Sequence, residues 1–220
     1  MFLCLAGAIL NIILSKICAM MNIPLYMDTV LTVTVTLIGG PVWGSLCGAL
    51  TNIINHTIWF WSWEAYLFAL CNIATAVITW LFKRAFPGEL RIIADKQQIS
   101  PYAAPVETAG SKRRDRPIDR VFVLFLLSLA LCIAMSILGG ILTALILGID
   151  PSLLGQEGLM AKLGSALYGR GFPLILVEIL SRIPINIIDR LLTAFGGYGI
   201  ALLAAAFYIK IEGRYFRRNV

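Results

Sequence analysis

Read by hydropathy, the chain is a series of apolar runs divided by polar stretches. The first run covers Met1 to Met21. A second, Met27 to Ile38, is rich in Val and Thr and breaks at Gly39-Gly40-Pro41, before a third from Val42 to Asn55. Glu64 to Phe82 forms a fourth and Val121 to Leu147 a fifth. Phe172 to Tyr208 exceeds what one crossing needs, so a break is expected near Pro184, leaving a short helix and a last span at 186–209. The long runs match the ~20 residues with which a helix crosses ~30 Å of hydrocarbon. They lack the roughly ten-residue alternating segments of a transmembrane barrel.

Val and Thr at 27–38 would favour a strand in water, but an unpaired strand backbone is too costly in lipid, so a helix is expected. Gly-Gly-Pro is a strong breaker, which favours two short helices over one kinked helix. The pattern therefore predicts an all-α integral membrane protein, a six-helix transmembrane bundle with short second and third helices. Its spans lie near 1–21, 27–38, 42–55, 64–82, 121–147 and 186–209, in a single domain over 1–220. A single crossing over 27–55 would give five spans and move the N-terminus outside.

Composition supports the class: 59% of residues are hydrophobic and 14% charged, more apolar surface than a soluble domain of 220 residues can bury. The net charge of +6 could suggest nucleic acid, but its placement argues otherwise. Nine of the 18 Lys and Arg residues lie between Lys83 and Arg120, and four between Lys210 and Arg218. The positive-inside rule puts both stretches in the cytoplasm, where membrane lipids with anionic headgroups are the expected partners and no nucleic acid is. Six crossings then make 83–120 a basic cytoplasmic loop, leave 148–185 as an outer loop and short helix, and place both termini in the cytoplasm. From Ala85 to Pro117 no helical apolar period survives, and a mobile linker is expected. The N-terminal run lacks the basic start of a signal peptide and is expected to be a retained span.

Five cysteines occur singly inside apolar runs and one histidine stands alone, so neither a disulfide framework nor a metal site is expected. No Walker A loop, GxSxG elbow or HExxH motif occurs. Catalytic residues, metals and cofactors are therefore not expected, and the chain is not read as an enzyme.

The polar residues gather toward the outer half. Asp28 precedes the second helix; Asn52, Asn55 and His56 end the third; Glu64 opens the fourth, and Asn72 lies at its mid-depth. Trp59, Trp61 and Trp63 suit either an interfacial belt or stacking on a ligand. Glu178 and Arg182, four apart, share a helix face, and Asn186, Asp189 and Arg190 follow. These charges read either as mutually neutralising pairs or as one wall of a polar cavity. Lys16 either snorkels to the outer interface or pairs with Asp28 or with a ligand carboxylate. The candidate substrate-binding set is Asp28, Asn52, Asn55, His56, Trp59, Glu64, Asn72, Glu178, Arg182 and Asn186.

The stretch IPLYMDTVLTVTVTLIGGPVWGSLCGALTNII resembles the second and third helices of the substrate-binding S components of energy-coupling factor (ECF) transporters. The GPxxG turn of that family stands here as Gly40-Pro41-Val42-Trp43-Gly44, after Asp28-Thr29 and before Thr51-Asn52. The resemblance implies a bacterial inner-membrane protein that captures a small polar, vitamin-like nutrient from outside and releases it inward. It also implies partners, a transmembrane coupling subunit and two ATPase subunits, met through small residues. Ala8 and Ser15 on the first helix, nearest to the family's AxxxA, and Gly44 and Gly48 on the third are the candidate partner contacts. The competing expectation is a membrane sensing module that binds a ligand without moving it.

Overall fold

A computed structural model describes residues 1–59, 64–92, 117–149 and 159–218. Helix α1 spans Phe2–Met20, α2 Val30–Gly39, α3 Pro41–Trp59, α4 Ala69–Ala85 after a 3-10 turn at Glu64–Phe68, α5 Pro117–Ile149, α6 Leu159–Tyr168 and α7 Leu174–Arg218. All regular structure among the described residues is helical. Four helices are long and apolar enough to cross a membrane: Phe2–Met20, Tyr66–Ala85, Pro117–Gly148 and Leu174–Tyr208. The shorter α2 is apolar as well.

The distribution of side chains is that of a membrane protein. Ile9, Ile13 and Ile17 of α1, and Phe125, Leu129, Ile133 and Ile137 of α5, form exposed apolar stripes at a spacing of four. Meanwhile Asn11, Thr32, Thr36, Asn72, Asn186, Asp189 and Arg190 are buried. A soluble protein arranges these two sets the other way round.

Helix α2 is the axis of the bundle. Val30 through Leu37 are all buried, and the helix contacts α1, α3, α4 and α7. Its threonines, which favour extended chain in water, spend their hydroxyls locally and across helices. Thr36 donates to the Thr32 carbonyl at 2.7 Å, and Thr34 donates to the Gly197 carbonyl of α7 at 2.9 Å. Asn11 joins three helices at one point. Its amide donates to Thr32 of α2 (3.1 Å) and Thr51 of α3 (3.2 Å), while its oxygen accepts the Leu31 N–H (2.8 Å).

The hairpin forms two helices, as Gly-Gly-Pro predicts. Gly40 takes φ +88° between α2 and α3, a conformation that costs glycine little. Close approach explains the glycine series that follows. A Cβ on Gly44 would fall 1.9 Å from Thr36 Oγ1, and one on Gly48 2.8 Å from the Asn72 carbonyl oxygen. Gly140 meets Ile179 of α7 in the same way, whereas Gly148 faces open space.

Three sequence expectations change. Helix α3 runs to Trp59 rather than Asn55, and it is not among the helices apolar enough to count as spans. The break expected at Pro184 does not occur: α7 is continuous, with Pro184 inside it. Proline removes one hydrogen bond, but Pro184 sits on an exposed face while the helix packs along α5, so packing on the other side holds the two halves in line. The linker expected after Ala85 begins as part of the core. Leu90 and Ile92 are buried with Val33, Leu37, Val123, Leu124 and Tyr198. Arg120 donates to the Glu89 carbonyl (3.1 Å). Tyr198 lies 3.4 Å from the carbonyl oxygens of Glu89 and Arg91. Residues 93–116 of that loop lie outside the described residues. Between α5 and α7, α6 packs against α7.

Candidate ligand-binding cluster

The connection between α1 and α2 turns into the bundle at Tyr26 to Thr29 because α7 holds it there. Asp189 Oδ1 accepts the backbone N–H groups of Tyr26 (3.0 Å) and Met27 (2.9 Å). Asp189 Oδ2 lies 2.8 Å from Arg190 Nη2, and Arg190 Nη1 donates to Thr29 Oγ1 at 2.6 Å. Asp189 is fully buried, and Arg190 is 5% exposed. Charges at this depth are costly unless paired, and these two neutralise each other.

About two helical turns toward the start of α7, Arg182 lies 3.5 Å from Glu178, hydrogen bonds to Tyr26 Oη at 3.2 Å, and donates to Thr143 of α5. Asn186, between the two pairs, donates to Ser136 of α5 at 2.9 Å. Asp28 completes the cluster from the other side. Its Oδ2 accepts the Asn72 amide of α4 at 3.2 Å, and the same amide reaches the Gly48 carbonyl at 3.2 Å. The charges that act on Asp28 are those of Arg190 and Asp189.

Several polar atoms here are buried without a hydrogen-bond partner among the described residues: Asp28 Oδ1, Arg190 Nε, Thr193 Oγ1, and the side-chain oxygens of Asn52 and Asn55. Buried polar groups are nearly always satisfied in native proteins, by protein, water or ligand. These atoms gather beside Asp28 and along α3.

The cluster sits at the end of the bundle away from the basic stretch. Thr29 and Arg190 meet before the first turn of α2, while Lys83, at the end of α4, donates to the Leu37 carbonyl near the last turn at 2.8 Å. The length of α2, about 15 Å at 1.5 Å per residue, separates the two ends.

Of the sequence candidates, Asp28, Asn72, Glu178, Arg182 and Asn186 converge here. Asn52, Asn55 and His56 line the end of α3, where Lys16 acts on the charge of His56. Asp28 accepts from Asn72 of α4, and the charges that act on it are those of Arg190 and Asp189. The side chains of Trp59 and Glu64 lie outside the described residues, as do Trp61 and Trp63. Ala8, Gly44 and Gly48 are buried within the bundle and Ser15 is half-buried, so the first three face helices of their own chain. Sequence reasoning missed Tyr26, Thr29, Ser136 and Thr143. Neutral hydroxyls in apolar segments read as packing, although Tyr26, two residues before Asp28, was within reach of the signal.

Away from the cluster, an open apolar groove of about 390 Å³ runs along α3, lined by Pro41, Val42, Ser45, Leu46, Ala49 and Ile73. No three His, Cys, Asp or Glu residues converge as metal ligands would among the described residues. Comparison with protein-family models, curated proteins and solved structures returns no significant match to this chain.

Proposed function

We propose that this chain is the membrane-embedded substrate-binding subunit of an ECF-type importer, which captures a small polar, vitamin-like nutrient from outside and releases it inward. In this reading it crosses a bacterial inner membrane six times, with both termini in the cytoplasm. It works with a transmembrane coupling subunit and two ATPase subunits. The observation that carries the proposal is the buried cluster of Asp28, Asn72, Glu178, Arg182, Asp189 and Arg190, in which Asp28 Oδ1 and Arg190 Nε lack partners. Ionisable groups inside a membrane bundle are expensive to keep and mark ligand or ion sites by default. The Gly40-Pro41 hairpin, the basic stretches at the opposite end and the resemblance over Ile23 to Ile54 support the same reading.

The test is calorimetry on the full chain in lipid nanodiscs against a set of vitamins and enzyme cofactors, with mass spectrometry of whatever copurifies from its host. Binding of one solute with a dissociation constant below about 1 μM, together with copurifying ATPase subunits, is expected. Silence across the set and no copurifying subunit would overturn the proposal. Binding without ATP-driven uptake in reconstituted vesicles would make the chain a sensing module instead.

A further inference from the structure

The charges of the cluster do not sum to zero. Glu178 faces Arg182 at 3.5 Å and Asp189 faces Arg190 at 2.8 Å, so each pair is neutral. Asp28 remains. Its one hydrogen-bonding side-chain neighbour is the neutral amide of Asn72, on Oδ2, and its Oδ1 is buried with no partner. Arg190 is close enough to act on Asp28, but its two terminal nitrogens are engaged by Asp189 and Thr29. Its Nε, buried and unpartnered, is left on the guanidinium. Among the described residues, two carboxyl groups, those of Asp28 and Asp189, meet one guanidinium, that of Arg190.

We infer that the molecule received here is a small organic cation whose N–H group, or other positively charged group, seats against Asp28 Oδ1, with a neutral oxygen or nitrogen acceptor facing Arg190 Nε. A buried carboxylate without a full counter-charge is unfavourable in a protein interior. A bound cation removes that cost, while a bound anion adds to it. A metal ion fits less well, because no third carboxylate, thiolate or imidazole joins Asp28 and Asp189 among the described residues. The inference rests on the importer reading for its site and adds the charge of what the site accepts.

The experiment measures thermal stabilisation of the full chain in nanodiscs at pH 7, in constant sodium chloride. The probes are vitamins, amines, amidines and quaternary ammonium compounds, each compared with neutral and anionic solutes of similar size. Stabilisation confined to the cations is expected. In Asp28→Asn the affinity for the best cation is expected to fall by at least about 30-fold, the loss that follows from deleting one partner of a buried charge pair. A neutral or anionic solute that binds best would overturn the cation inference and leave the importer reading standing. No binding by any class would overturn both readings. Should Asp28→Asn fail to fold, the charge series on the unaltered chain still decides.

Discussion

Asp189 Oδ1 accepts the backbone N–H of Met27 at 2.9 Å, across 162 positions of sequence. Met27 has φ +49°, a region that non-glycine residues enter at a cost of about 1–3 kcal/mol. The carboxylate on α7 therefore holds the entry to α2 in a conformation that the loop would not keep alone. Asp189→Ala removes both backbone hydrogen bonds and the ion pair with Arg190. A loss of about 3–5 kcal/mol is expected, measured by unfolding of the purified protein in mixed micelles. Unchanged stability would show that the loop is held by other contacts.

Asn11 is the one polar node shared by α1, α2 and α3. Hydrogen bonds between membrane helices average only about 0.6 kcal/mol each, but the Leu31 N–H belongs to the first turn of α2 and has no carbonyl of its own helix to bond. Asn11→Ala is expected to cost about 1–3 kcal/mol, and Asn11→Asp to cost more, since its carboxylate would be buried without a counter-charge. Equal losses for the two substitutions would sink this account. The same unfolding assay reads both.

Gly44 and Gly40 predict different failures. At Gly44 a methyl group would overlap the Thr36 hydroxyl and push α3 off α2. At Gly40 there is room for a side chain, but φ is +88°. Gly44→Ala is expected to destabilise by at least about 1–3 kcal/mol through overpacking, and the double variant Gly44→Ala with Thr36→Ala to recover part of it. Gly40→Ala is expected to cost about 1–2 kcal/mol, with no rescue from Thr36→Ala. Gly199→Ala, where nothing lies within 4 Å, serves as the neutral control.

Leu90 is fully buried at the basic end of the bundle. Leu90→Ala is expected to lower stability by about 2–5 kcal/mol and to speed proteolytic cutting in the loop after Ile92. If the cutting rate does not change, the segment 86–92 is only loosely seated.

The hairpin was legible because its causes are local: Gly39-Gly40-Pro41 breaks a helix whatever surrounds it. The long runs of α1, α4 and α5 were legible because lipid demands continuous apolar surface. Pro184 was misleading, since a break was inferred from a lost hydrogen bond while packing along α5 keeps the helix in line. Leu90 and Ile92 could not be found by periodicity: a short apolar pair in a polar stretch becomes core only because α2, α5 and α7 leave space for it. At the site, Asp28, Asn72 and Arg182 stood out as polar groups in apolar runs. Their mutual distances, and the odd charge at Asp28, depended on how α7 meets the loop before α2.

Pro184 also gives the charged face of α7 a joint. Lacking an N–H, it withholds the bond that the Leu180 carbonyl would accept in an unbroken α-helix, so the helix resists bending there by one hydrogen bond less than elsewhere. Glu178 and Arg182 stand on one side of this point, and Asn186, Asp189 and Arg190 on the other. A swing of the segment before Pro184 would widen the cluster while the segment after it keeps its hold on Met27. Spin labels on Ile175 and Ile188 would follow that swing, and Pro184→Ala is expected to narrow the distribution of distances between them.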